Sequence, residues 1–181
     1  MRVPDEIILN LGTAKIKEAI PLLKNILITN NRSYANLEAV EKALAALGDS
    51  MYIKKILKKH KDYINKEIWQ GAYLNDDLFS LHVILRSQES YYLISDWLDT
   101  TRTYREFSET GDTTTPIRYT SAFIVSGLLS TLKNKDLISG FKNLYQAEIK
   151  KIEFDEYSIT PKLILYVKNW LIANKGKYEF W

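Results

Sequence analysis

The chain has 181 residues, 25 basic and 22 acidic, for a formal charge of +3, and contains no cysteine. That length suits one domain, 1–181, with enough burial to fold unaided. The missing cysteines exclude disulfides, thiolate zinc sites and a cysteine nucleophile, and the charge is milder than that of a committed nucleic-acid binder. MRVPDEIILNLG lacks a signal-peptide pattern and no apolar run approaches about 18 residues, so a cytoplasmic protein with no membrane span is expected.

In chain order, Pro4, Asp5 and Glu6 mark a first turn, and Gly12 is expected just past the end of ILNL. Thr13 is expected to cap a second helix carrying Ile16, Ala19, Ile20, Leu23, Ile26 and Leu27, bent by Pro21. Leu37, Val40, Ala43, Leu44 and Leu47 form one face of a third helix ended by Gly48. Asp49 or Ser50 caps a fourth, with Tyr52, Ile53, Ile56 and Leu57 inward. Further helices are expected around 62–73, 76–86 and 89–99, then a polar loop at 100–115. Thr115-Pro116 and Thr160-Pro161 each read as a capping Thr before a first-turn Pro, opening helices near 116–132 and 161–174, with another at 135–150. The expected class is all-α.

Part of this pattern recurs. With a shift of 36, Leu11-Gly12 falls on Leu47-Gly48, Thr13 on Asp49, Ile16 on Tyr52 and Ile20 on Ile56. With a shift of 85, Leu44 falls on Leu129, Leu47 on Leu132, Asp49 on Asn134 and Ile53 on Ile138, with Lys133 in place of the glycine. A single helical hairpin cannot bury its own faces, whereas stacked hairpins share a continuous core. Ala19-Ile20-Pro21-Leu22-Leu23 and Ala43-Leu44-Ala45-Ala46-Leu47-Gly48-Asp49 resemble the HEAT repeat family, best over residues 7–60 and more loosely over 61–181. The resemblance implies an α-solenoid of stacked antiparallel hairpins, about 8–10 helices in all.

The chemistry-bearing motifs are sparse. His60 and His82 are too far apart for a helical metal pair. His60, inside KKILKKHK, is expected to be solvated, and His82 to be partly buried and satisfied. H-E-x-x-H, G-x-S-x-G and a phosphate-cradling glycine loop are absent, so no enzyme activity, metal or cofactor is expected. Lys54, Lys55, Lys58, Lys59 and Lys61 form the strongest charge cluster, opposite Ile53, Ile56 and Leu57. It reads either as a solvated helix face or as a contact for phosphates or an acidic partner. Tyr104, Arg105 and Phe107 in loop 100–115, with Glu153, Asp155 and Glu156, complete the candidate partner-binding residues. KYEFW is expected to dock back on the last helix, and Trp97 to be core. Helical-repeat glycosylases suggest a role for an acidic and aromatic pair, for which Asp96-Trp97 is the candidate.

A solenoid works by shape, which points to a protein partner. Small bacterial HEAT-like proteins are similar to immunity proteins that block a cognate toxin, which implies one protein partner, a toxin domain. A slightly basic chain suits a basic nuclease poorly. A scaffold or regulatory subunit is the alternative, and a nucleic-acid binder using the Lys54–Lys61 face a further one.

Overall fold

A computed structural model describes residues 3–30, 34–65, 69–70, 80–98, 103–108, 111–116, 118–149 and 160–181, with the backbone alone at 69–70, 103–108, 111–116, 118–123 and 149. Its elements are predominantly helical: α1 (Asp5–Thr13), α2 (Ile20–Ile28), α3 (Leu37–Ala46), α4 (Ser50–Ile64), α5 (Gln88–Ile94), α6 (Arg118–Thr131), α7 (Lys135–Ile149) and α8 (Pro161–Ala173). Among the described residues no helix is long and apolar enough to cross a membrane.

The first turn of chain corrects two expectations. α1 runs through Gly12 to Thr13, so Thr13 ends a helix and caps none; its hydroxyl donates back to the carbonyl of Leu9 at 3.3 Å. A short 3-10 turn (Lys17–Ala19) then leads into α2, and Pro21 occupies its first turn, where a missing N–H costs nothing and no bend is required. Gly12 is helical because α1 lies directly on α3: a Cβ there would come within 2.8 Å of the Cα and carbonyl oxygen of Ala43. The small buried side chains of Ala39, Ala43 and Ala46 permit that approach.

The recurrence has a different register from the one the letters suggest. Ala14, Lys15 and Ile16 donate to the carbonyls of Asn10, Gly12 and Leu11; Leu47, Gly48 and Asp49 donate to those of Ala43, Ala45 and Leu44. This is one helix-ending motif used twice, 33 residues apart (Asn10 to Ala43) rather than 36. Its left-handed position is Gly48 at φ 94° in one copy and Lys15 at φ 58° in the other. Lys15 is drawn there by its ammonium, which donates to the carbonyl of Ala46 at the C-terminal end of α3. The shift of 85 keeps its register: Leu132 donates to Leu128 as Leu47 does to Ala43, and Ile138 to Asn134 as Ile53 does to Asp49.

The middle of the chain departs further. α4 continues to Ile64, and Trp69–Gln70 is a short strand, β1, where a helix over 62–73 was expected. The expected helix at 76–86 is, in its described part, a π-helical turn, Ser80–Leu85. The expected loop 100–115 is, in its described part, an antiparallel pair, β2 (Thr103–Ser108) and β3 (Gly111–Pro116), with Arg105 opposite Thr114 and Phe107 opposite Asp112; β1 adds in parallel to β2. Alternating aromatic and polar residues in TYREF, facing a run of β-branched threonines, suit a pleated pair better than a loop. Thr115-Pro116 therefore ends a strand, and the next helix starts at Arg118.

Among the described residues, two apolar clusters form the core. Ile8, Leu23, Ile26, Val40, Ala43 and Leu44 join α1, α2 and α3. A larger one gathers Leu57, Leu81, Tyr91, Trp97, Leu128 and Val167 from α4, the π-helical turn, α5, the 3-10 turn Ser95–Trp97 that follows it, α6 and α8. Each fully buried large side chain contributes about 1.5–3 kcal/mol of transfer free energy. The π-helical turn sits between the clusters, touching α1 and α3 on one side and α4, α5 and α6 on the other.

Candidate functional site

Asn36 caps α3, its side chain accepting from the backbone N–H of Glu38 at 3.1 Å, and Asp49 caps α4 by accepting from Met51 at 3.1 Å. Lys24 lies 3.0 Å from Asp49, and its hydrogen bond holds that carboxyl below the ordinary carboxylate range. α3 and α4 together line a groove of about 430 Å³, which reaches Ser80 of the π-helical turn. Leu37, Tyr52 and Ile56 supply its apolar surface.

The rims are charged and internally paired. Lys55 contacts both carboxylate oxygens of Glu41 at 2.6 Å. Glu38 is flanked by Lys42 and Lys59, each at 3.5 Å. Burial opposes ionisation of Glu38, but the two ammonium groups outweigh it, and its carboxyl is held below its ordinary value. The Tyr52 hydroxyl is pushed up by burial, then by Glu41 and Asp49, against the opposing Lys24 and Lys55. Such a surface offers carboxylates, ammonium groups and apolar contact together, which suits a polypeptide of mixed charge better than a run of phosphates.

Of the expected site residues, Lys55 and Lys59 line this groove. Lys58 turns to Asp62 on its own helix, Lys61 approaches Glu89 at 3.9 Å, and Lys54 is exposed on α4. The backbone of Tyr104, Arg105 and Phe107 lies in β2, and Glu153, Asp155 and Glu156 lie outside the described residues. Glu38, Glu41 and Lys42 were not singled out from sequence, and Tyr52 was expected only to point inward from the fourth helix. The signal for the acids was present in the α3–α4 hairpin itself, which brings Glu38 and Glu41 opposite the next helix's lysines.

His60 corrects an expectation. It is 1% exposed, and its Nδ1 accepts from the indole N–H of Trp97 at 2.6 Å. That bond places the ring proton on Nε2, which faces Asp96 Oδ2 at 3.6 Å. His60 continues the inward stripe of Leu57 and Tyr63 on α4, so helical phase overrides its lysine-rich neighbours. Trp97 is core, as expected, and stacks on Tyr63, so it offers no exposed aromatic surface beside Asp96. His82 is buried, beside Gly127, where a Cβ would lie 2.7 Å from His82 Nε2. Among the described residues no group of three or more His, Cys, Asp or Glu side chains is placed to hold a metal ion.

No protein-family model matches the chain, and no curated protein or solved structure shows significant similarity to it.

Proposed function

We propose that the chain is a cytoplasmic, non-enzymatic protein-binding protein of stacked HEAT-like hairpins, with the α3–α4 groove as its contact surface. Its most specific form is an immunity-type inhibitor that holds one toxin domain. The observation that carries the reading is the internal pairing of the groove: Lys55 with Glu41, and Lys42 and Lys59 with Glu38. A nucleic-acid phosphate would have to compete with those carboxylates for the same ammonium groups, whereas a protein of mixed charge can match both signs.

The test exchanges the charges within one pair. Glu41→Lys with Lys55→Glu keeps the net charge, the number of lysines and an internal pair, but inverts the pattern a partner meets. Tagged chain would be recovered from its native cell in moderate and then high salt. One stoichiometric protein should survive high salt, lose at least tenfold in affinity for the exchanged chain, and arrest growth when expressed without it. Nucleic acid released steeply by salt and indifferent to the exchange would overturn the proposal. Several weak partners would point to a scaffold instead.

A further inference from the structure

Residues 177–181 cross the body of the molecule as an extended strap, and its backbone is gripped almost completely. Gln88 holds Tyr178 from both sides, accepting from its N–H at 3.0 Å and donating to its carbonyl at 2.7 Å. Asn134 repeats the arrangement one step along, accepting from the N–H of Glu179 at 2.9 Å and donating to the carbonyl of Lys177 at 3.2 Å. The backbone of the α6–α7 corner completes the grip. Lys133 N–H donates to the carbonyl of Glu179 at 2.7 Å, and Trp181 N–H donates to that of Thr131 at 3.1 Å. Two side-chain amides, each with one donor and one acceptor in use, thus stand in for the edge of a neighbouring strand.

The side chains alternate as in a strand. Tyr178 is 4% exposed, packed against Tyr91 and Trp170, and its hydroxyl donates to the carbonyl of Leu171 at 2.6 Å. Phe180 meets Tyr91 edge-on at 4.6 Å. Glu179 is exposed, and Trp181 is 71% exposed beneath the ammonium of Lys133. Backbone hydrogen bonds are indifferent to sequence, whereas two aromatic pockets at a two-residue spacing are selective.

We propose that this groove is a receptor for an extended polypeptide segment of the pattern aromatic–any–aromatic, and that residues 177–181 are its resident occupant. A partner protein carrying such a segment binds by displacing the strap, which pivots at the Asn174–Gly176 turn, where Gly176 holds φ 83°. The strap competes at the high effective concentration of a tethered ligand, so the unaltered chain resists weak competitors and yields only to a matching segment. This inference is independent of the α3–α4 groove.

The probe is a fluorescent peptide with the sequence of Lys175 to Trp181. It should bind saturably to the chain carrying Tyr178→Ala and Phe180→Ala, at least tenfold more tightly than to the unaltered chain. The same peptide with alanine in place of both aromatics should not bind. Absence of saturable binding to the double variant, with its helical circular dichroism intact, would overturn the proposal. A second measurement uses the unaltered chain alone. The amides of Glu179 and Trp181 should exchange hydrogen at least tenfold faster than those of Val167 and Leu171 in α8. Equal protection would mean that the strap leaves only when the molecule unfolds, and the proposal would fail on that ground.

Discussion

At the scale of single residues, two glycines with the same letter and the same preceding leucine do opposite work. Gly12 is needed for space, because α3 backbone lies where its Cβ would go, and Gly48 for conformation, because it holds φ 94° with nothing within 4 Å of the missing Cβ. Gly12→Ala should cost about 1–3 kcal/mol by forcing α1 off α3. Gly48→Ala should cost about 1–2 kcal/mol through left-handed strain alone. Denaturant midpoints give both values, and packing perturbation reported by α1 and α3 amide shifts should accompany only the first. Tyr91 and Tyr178 give a pH signature. Burial pushes both hydroxyls up to about 12, partly offset at Tyr91 by its hydrogen bond to Thr131. The unfolded chain loses these protons near its ordinary value of about 10. Their contribution to stability is therefore complete below pH 10 and falls as pH rises from 10 towards 12. Tyr91→Phe or Tyr178→Phe should flatten that alkaline fall, read as unfolding free energy against pH, while costing about 1 kcal/mol at neutral pH for each hydrogen bond lost, one at Tyr178 and two at Tyr91, to His82 and Thr131.

At the scale of elements, the helix starts separate true caps from apparent ones. Asp49 accepts a backbone N–H and is held by Lys24, whereas Thr160, at the same position before α8, makes no capping hydrogen bond. Its hydroxyl is buried without a hydrogen-bond partner among the described residues. Asp49→Ala should cost about 1 kcal/mol, and Thr160→Ala should lie within about 0.5 kcal/mol of no change. Equal losses in thermal unfolding would contradict these assignments. The signature Thr-Pro is the same at 115 and 160, yet one closes a strand and the other opens a helix. A proline restricts the residue before it to extended backbone, and that restriction serves both ends equally.

At the scale of the molecule, cohesion depends on the π-helical turn. Leu81 is fully buried in the larger cluster, while its own short segment also rests on α1 and α3. Leu81→Ala should cost about 2–5 kcal/mol through the cavity it leaves. It should also loosen the join between the clusters, so that exchange protection in α1–α3 falls before that in α6 and α8. A uniform loss of protection would show that the clusters unfold as one unit irrespective of this turn.

How much of this was legible depended on whether the determining contacts were local. Helix positions over much of the chain, the stop at Gly48 and the cap at Asp49 follow from periodicity and backbone preference, which act within a turn or two of chain. So did the docking of KYEFW, because buried aromatics seek cover. The register of the recurrence was misread because Lys15 takes a position usually reserved for glycine, held there by a carbonyl 31 residues away. His60 was misplaced because its nearest neighbours are lysines, while its helical phase and the indole of Trp97 draw it inward. The strands at 103–108 and 111–116 were hidden for the complementary reason: polar threonines pair only when a partner strand satisfies their backbone. Sequence by itself determined that the chain is mainly helical and where α3 stops and α4 starts. Tertiary structure decided which carboxylates meet which lysines, and which amides grip residues 177–179, because those pairings join residues brought close only by packing.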